Sequence, residues 1–179
     1  MVVATTLHRT LPNQLLRHPD SRIVDLAHKT LHTVSQNAGR DFSGLGIVVY
    51  KGISFNHIER VDLRPSISCP EDILLGTDRS VSELLRMGRS DSPVHDGFFL
   101  FDENGRLTHT AQLCIFRPHA EVKVNEQHGT RFLQLQFGSM EDTIILTGTI
   151  SRFDHQYHIF QHGKIIRSSD DGIHEPHME

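Results

Sequence analysis

Two short segments carry the side chains best suited to chemistry. The first is SPVHDG, residues 92–97, directly before an apolar stretch. Pro93 and Gly97 favour a tight turn that would place the Asp96 carboxylate at a strand edge, where it can bind Mg²⁺ or accept a hydroxyl proton. The same residues fit an Asx-type turn, in which Asp96 only accepts hydrogen bonds from backbone NH groups, and on the residues alone this interpretation is favoured.

The second segment is His128-Gly129-Thr130-Arg131, which leads into another apolar stretch. Glycine lets the backbone approach an anion closely, and a threonine hydroxyl, backbone NH groups and a guanidinium can then converge on it. A helix that begins here would add a favourable dipole, so the segment is suited to phosphate groups. A helix start followed by a surface arginine explains the same residues without a ligand.

Histidine is unusually frequent, with 14 residues scattered along the chain. His155, His158 and His162 come nearest to a metal-ligand spacing. A strand through this region would put His155 and His158 on opposite faces, so surface or hydrogen-bonded imidazoles are favoured over a metal site.

Composition limits the class of protein. The 179 residues are 37% hydrophobic and 22% charged, with a net charge of −4. This is enough apolar matter for one core, whereas a general nucleic-acid binder would need a basic stripe. No apolar run approaches the ~18 residues of a membrane span, no secretion signal is evident, and Cys69 and Cys114 form neither a disulfide framework nor a zinc site. We therefore expect a cytoplasmic protein that binds neither membranes nor nucleic acids.

The first half of the chain predicts a helix, a strand and a second helix. Apolar residues recur with a helical period over residues 21–37, and the run GLGIVVYKG at residues 44–52 is typical of a buried strand. Residues 53–63 are expected to form a second strand pair or an extended segment. Ser80 and Glu83 match a capping box for a helix over residues 81–87.

The second half predicts mainly strands. Residues 97–115 form a β-hairpin around Asp102-Glu103-Asn104-Gly105, and residues 157–166 form another around His162-Gly163. Residues 129–138 fit a strand or a helix, and residues 142–146 fit a strand. The fold class is therefore α/β or α+β with a mixed sheet. We divide the chain into an N-terminal arm at residues 1–20, a domain at 21–167 and a solvated tail at 168–179.

Together, the segments SPVHDGFFLFDENGRLTHTAQL and GTRFLQLQFGSMEDTIILTGTIS resemble the diadenylate cyclase (DAC) domain of DNA-integrity scanning proteins and membrane-bound cyclic di-AMP synthases. The family pattern is PLHDGA, a strand pair, GTRHRAA and a strand that ends in Ser-Glu. The order and spacing of the two motifs are more specific than either alone, and the resemblance covers about residues 21–166. It implies a mixed, partly barrelled sheet surrounded by helices.

The resemblance implies a domain that condenses two ATP molecules into cyclic di-AMP in a face-to-face pair. Asp96 and Gly97 match the DG of the first motif, where the aspartate assists the attacking 3′-hydroxyl and the metal, so Mg²⁺ or Mn²⁺ would accompany the nucleotide. The remaining matches are Gly129, Thr130 and Arg131, at the GTR that grips the triphosphate, and Leu113, near a residue that lines the adenine pocket.

Several positions depart from the family pattern. Phe132 and Leu133 replace a histidine and an arginine, and Phe98 replaces an alanine. The Ser-Glu pair aligns with about Thr149-Ile150, so the metal-binding carboxylate is missing. Because losing one group that stabilises transition-state charge typically lowers a rate roughly 10²–10³-fold, these changes predict lost catalysis, whereas ground-state binding can survive.

We therefore expect a stand-alone DAC-like domain that binds or senses an adenine nucleotide or cyclic di-AMP and has lost cyclase chemistry. A homodimer is implied by the family, and any output would need a protein partner. Two alternatives stay open. The first is an active cyclase, its missing charge supplied by His95, Arg117, His119 or His128. The second is a scaffold-only interaction protein whose pocket is closed by Phe98, Phe132 and Leu133.

Overall fold

The computed structural model describes residues 19–52, 59–124 and 127–172. The predicted arm up to residue 18, residues 53–58 and the end of the predicted tail lie outside these ranges. The helices are α1 (Pro19–Asn37), α2 (Asp78–Met87) and α3 (Thr130–Gly138). The strands are β1 (Leu45–Tyr50), β2 (Arg60–Asp62), β3 (Phe98–Phe101), β4 (Leu107–Cys114), β5 (Ile144–Ile150), β6 (Tyr157–Gln161) and β7 (Lys164–Ser168), followed by a 3₁₀ turn at Ser169–Gly172.

The strands form one open sheet in the order β2-β4-β3-β1-β5-β6-β7. β1 and β3 are parallel, with Ile47 opposite Phe99, and every other pair is antiparallel. The expected mixed sheet with surrounding helices is therefore confirmed. Because β1 and β3 are parallel, the chain must cross over between them, and this connection contains β2 and α2.

Both faces of the sheet are covered, which explains why all six residues of β1 are buried. Ile47 and Val49 belong to the apolar cluster beneath α1 and α2, whereas Val48 points to a second cluster that contains Leu135 of α3. A strand alternates its side chains, so a central strand between two helical layers must be apolar throughout. Each fully buried large aliphatic side chain contributes about 2 kcal/mol through its removal from water.

Both predicted hairpins are present, and the ambiguous residues 129–138 form α3. In the β3–β4 turn, Asp102 Oδ1 accepts hydrogen bonds from the NH groups of Asn104 and Arg106, each at 2.9 Å. In the β6–β7 turn, His162 and Gly163 have φ of 48° and 73°. Positive φ at both central residues is what a two-residue hairpin turn requires.

The predicted capping box at Ser80 and Glu83 is wrong. α2 begins earlier, and its N-cap is Thr77, whose hydroxyl accepts a hydrogen bond from the Ser80 NH at 3.2 Å. The Glu83 carboxylate instead accepts from the Arg86 guanidinium at 2.8 Å. Thr77, three residues before Ser80, supplies the capping hydroxyl. Ser80 is therefore not needed as a cap and is buried in the first turn of α2.

No helix among the described residues is long and apolar enough to cross a membrane.

Burial separates the reactivity of the two cysteines. Burial raises the pKa of the Cys114 thiol to about 12, and nearby Arg60 lowers it in part. Cys69 is half-buried, and burial also raises its pKa. With this pKa, Cys114 is almost entirely in the protonated thiol form at pH 8. Because the thiolate is the reacting form, Cys114 should react slowly.

We predict that a thiol reagent at pH 8 labels Cys69 in the native protein, whereas Cys114 reacts only in denaturant. Mass spectrometry of timed samples measures both sites. The variant Cys69→Ser should leave the native protein unlabelled over the same interval. Native labelling of Cys114 at the rate of Cys69 would contradict the burial seen here.

Candidate functional site

Gly97 brings the DG turn into close contact with β4. Its φ is +83°, and a Cβ atom at this position would lie 2.7 Å from the carbonyl oxygen of Gln112 and 2.9 Å from the carbonyl carbon of Ala111. Both the backbone conformation and the space therefore require glycine. This close approach fixes the neighbouring Asp96 at the start of β3.

The Asp96 carboxylate lies between basic side chains. Its Oδ1 is 3.3 Å from His95 Nε2, and its Oδ2 is 3.8 Å from a terminal nitrogen of Arg64. The other His95 ring nitrogen lies 2.6 Å from the Ser92 carbonyl oxygen, and Arg64 Nε donates to the Pro93 carbonyl at 2.9 Å. These contacts differ from the Asx-type turn, and nothing in the sequence singled out Arg64.

Arg131 joins the two motifs. Its guanidinium is largely buried and donates a hydrogen bond to the Ser43 carbonyl at 3.2 Å. Burial lowers the pKa of Arg131, whereas the nearby Asp96 carboxylate raises it. A Cβ at Gly44, where φ is +80°, would lie 2.8 Å from the guanidinium. The beginning of β1 thus makes room for Arg131, and Asp96 provides a compensating charge.

On its other side, Arg131 lines an open cleft of about 680 Å³. A volume of this size is within the usual range for small-molecule sites. The walls are the beginning of α3, the end of β5 with the loop that follows, and parts of β6 and the 3₁₀ turn. The lining residues are Gln127, His128, Gly129, Thr130, Arg131, Phe132, Thr149, Ile150, Ser151, Arg152, Phe153, Asp154, Gln156, His158 and Asp170.

The N-terminus of α3 opens into this cleft. Gly129 is the N-cap, and no side chain hydrogen-bonds to the cap. Thr130, the first helical residue, is exposed. The first NH groups of a helix lack intrahelical acceptors and carry partial positive charge, so they favour an anion. Because residues 130–138 form a helix, Gly129, Thr130 and Arg131 lie at a helix N-terminus.

An aromatic stack forms one wall of the cleft. The His128 ring stacks on Phe132 with centroids 3.7 Å apart and planes 12° apart, and His158 meets Phe132 edge-on at 5.2 Å. Phe132 is buried against Phe160 and Leu135 in the core. The Phe132 side chain thus packs beneath the cleft and leaves it open.

The β5–β6 loop presents side chains that the sequence analysis missed. The Ser151 NH donates to the Gln156 carbonyl at 2.8 Å, and Asp154 Oδ1 accepts from the Gln156 NH at 3.2 Å. Within this closed turn Phe153 is 93% exposed. A hydrogen bond from Ser151 holds the pKa of Asp154 below its usual range. The loop carries no motif, so only the fold reveals that Arg152, Phe153 and Asp154 line the cleft.

The predicted site residues fall into two groups. Gly129, Thr130 and Arg131 line the cleft, whereas Asp96 and Gly97 are absent from the described lining, although Asp96 interacts electrostatically with Arg131. Leu113 lies on β4 opposite Val61, is 43% exposed and is also outside the lining. Thr149-Ile150, the position aligned with the missing carboxylate, is buried, and the Thr149 hydroxyl donates to the Leu45 carbonyl at 3.1 Å.

Side chains that commonly bind metal ions do not cluster among the described residues. The described parts of the chain contain no group of three histidine, cysteine or acidic residues that could hold an ion. Asp96, the expected ligand, is half-exposed, lies 3.3 Å from His95 and 3.8 Å from Arg64, and interacts electrostatically with Arg131. His155 contacts the Phe42 ring and His162 occupies a hairpin turn.

Comparison with known proteins shows the fold and no more. No family model and no curated protein matches the chain. A double cysteine mutant of DacA, a diadenylate cyclase from Staphylococcus aureus, is similar with a TM-score of 0.54 and 17% identity, over 83% of this chain and 88% of that one. A hypothetical membrane-spanning protein from Bacillus cereus gives a TM-score of 0.57 and 17% identity over 82% of this chain, which spans 61% of that protein's length. The chain therefore has a DAC-like fold.

We predict that Gly97→Ala lowers the free energy of unfolding by about 2–3 kcal/mol through the positive φ and the contact with β4. Gly52 is a matched control because its φ is +76°, but among the described residues beyond its chain neighbours no atom lies within 4 Å of a Cβ there. Gly52→Ala should cost about 1 kcal/mol. Equal losses in urea denaturation would show that the approach to β4 is not what constrains Gly97.

Proposed function

We propose that this DAC-like domain binds an adenine nucleotide in the cleft at the beginning of α3 and does not carry out cyclase chemistry. The observation that carries the proposal is the open N-terminus of α3, which faces a cleft of nucleotide size beside Thr130 and Arg131. The DAC-like fold places a nucleotide among the ligands to test first.

The phosphate would lie at the beginning of α3. The NH groups of the first turn, the exposed Thr130 hydroxyl and the part of Arg131 that reaches the cleft are all donors. A phosphate oxygen accepts hydrogen bonds from such groups, and these bonds need no transition state to form.

The base would lie against aromatic side chains. His128 already stacks on Phe132, and Phe153 projects into solvent at the rim of the same cleft. Every base has an aromatic face that can stack on such rings, with a contribution of roughly 1–3 kcal/mol per base. This mode of contact suits a binding domain because it does not require a reacting group.

The residues around the cleft support the proposal that cyclase chemistry is lost. Phe132 is buried and Leu133 packs against the same core, so neither position supplies charge. Asp96 is absent from the residues that line the described cleft, and it contacts His95 and Arg64. Expulsion of pyrophosphate builds negative charge that needs positioned cations or metal ions. Of the four residues that could supply the missing charge, namely His95, Arg117, His119 and His128, only His128 is among the residues that line the described cleft.

Isothermal titration calorimetry with ATP, ADP, AMP and cyclic di-AMP tests binding, each with and without Mg²⁺. We expect saturable heat with at least one adenine nucleotide. Thr130→Val should weaken that binding roughly tenfold, because one hydrogen bond to a charged group is lost. Thr33→Val, on the exposed side of α1, should leave affinity unchanged. Absence of heat and of thermal shift with every nucleotide at millimolar concentration would overturn the proposal.

Incubation of the chain with ATP and Mg²⁺ or Mn²⁺ tests the loss of chemistry. We expect no cyclic di-AMP by chromatography above a protein-free control. Product that disappears in Asp96→Asn, a substitution that keeps the size of the side chain, would show instead that the chain is an active cyclase.

A further inference from the structure

The cleft has an even balance of charge. Arg131 and Arg152 line it together with Asp154 and Asp170, and the two histidines of the lining are His128 and His158. With neutral histidines, the two guanidiniums are matched by two carboxylates. A site built for a polyphosphate chain would be expected to carry an excess of cations.

Arg131 offers less charge to a ligand than its type suggests. Its guanidinium already donates to the Ser43 carbonyl, and the Asp96 carboxylate stands behind it as a third acid. The field that reaches the cleft from Arg131 is therefore partly neutralised within the protein.

Asp154 is fixed rather than free to turn away. Its carboxylate accepts hydrogen bonds from Ser151 and from the Gln156 NH, and it interacts electrostatically with His158, another residue of the lining. An acid held in this way stays ionised at neutral pH and remains beside the ligand. Asp170, on the 3₁₀ turn, is exposed and also lines the cleft.

From this arrangement we infer that the cleft selects a nucleoside monophosphate and discriminates against triphosphates. The inference rests on the proposed function. One phosphate at the beginning of α3 meets the helix NH groups and the Thr130 hydroxyl, and one guanidinium can offset its charge. Every further phosphate would add negative charge to the same cleft, which already contains the carboxylates of Asp154 and Asp170. In water, two like charges about 4 Å apart weaken binding roughly fivefold, so specificity arises from repulsion of the longer chain.

Calorimetric titrations with adenosine, AMP, ADP and ATP at one ionic strength test the order of affinity, with ATP measured both without and with Mg²⁺. We expect AMP to bind at least about tenfold more tightly than ATP, with ADP between them. Adenosine should bind more weakly than AMP, because it lacks the phosphate that α3 would hold.

Neutralising the acids should remove the discrimination. The double variant Asp154→Asn with Asp170→Asn keeps side-chain size and, at Asp154, the oxygen that accepts from Gln156. It should strengthen ATP binding by about tenfold and change AMP binding by less. Asp142→Asn, an exposed acid before the opposite end of β5, is the matched control and should leave the ratio unchanged.

A second variant distinguishes the contribution of contacts with the base from the contribution of charge to ligand affinity. Phe153→Ala should weaken AMP and ATP by the same factor and leave thermal stability unchanged, since the side chain is 93% exposed. An unequal loss would mean that Phe153 contacts the phosphate chain rather than the base.

The outcomes distinguish this inference from the proposal beneath it. ATP binding as tight as AMP binding, with or without Mg²⁺, overturns the inference alone, as does an AMP-to-ATP ratio that the double variant does not change. Equal affinity for adenosine and AMP also overturns it. No heat with any of the four ligands overturns the inference, and no heat with cyclic di-AMP as well overturns the proposed function.

Discussion

The position of the cleft depends on the burial of one guanidinium. A largely buried arginine loses its hydration, and this cost must be offset by hydrogen bonds or by an opposite charge. The Ser43 carbonyl and the Asp96 carboxylate fill these roles for Arg131, from two segments that are far apart in the chain. The same side chain is fixed to the first turn of α3. One charge therefore holds the beginning of β1, the DG turn and the beginning of α3 together.

Two glycines near Arg131, Gly44 and Gly97, make the close contacts in this region possible. Gly44 lies where a Cβ would meet Arg131, and Gly97 lies where a Cβ would meet the backbone of β4. Both have positive φ, so the local conformation and the tertiary contact demand the same residue. Packing and backbone conformation are therefore sufficient to require glycine at position 97.

Sequence reasoning worked where structure is decided locally and failed where a distant contact decides it. The β3–β4 turn was predictable because Asp102 satisfies its own neighbours' NH groups. Thr77 and Ser80 are both hydroxyl residues that can cap a helix. Thr77 is the N-cap in the structure, and its hydroxyl also donates a hydrogen bond to the Leu74 carbonyl. Leu74 in turn pairs with Arg106, which is distant in sequence, so this contact could not be predicted locally. Likewise GTR was visible as a motif, whereas Arg152 and Asp154 acquire their importance only when the β5–β6 loop packs opposite α3.

Binding and catalysis make separable demands on such a cleft. Helix NH groups and stacked rings act on a ligand in its ground state, and the α3 N-terminus and the His128–Phe132 stack provide both. Charge that develops on a leaving group needs cations in excess, yet here the arginines of the cleft are matched by acids and Phe132 has joined the core. Burying Phe132 against Phe160 and Leu135 contributes about 2–3 kcal/mol of hydrophobic stabilisation, which a charged residue in the same place would not provide. Under the proposed function, the apolar side chain at position 132 supplies no charge to the cleft and at the same time stabilises the floor on which a ligand would rest.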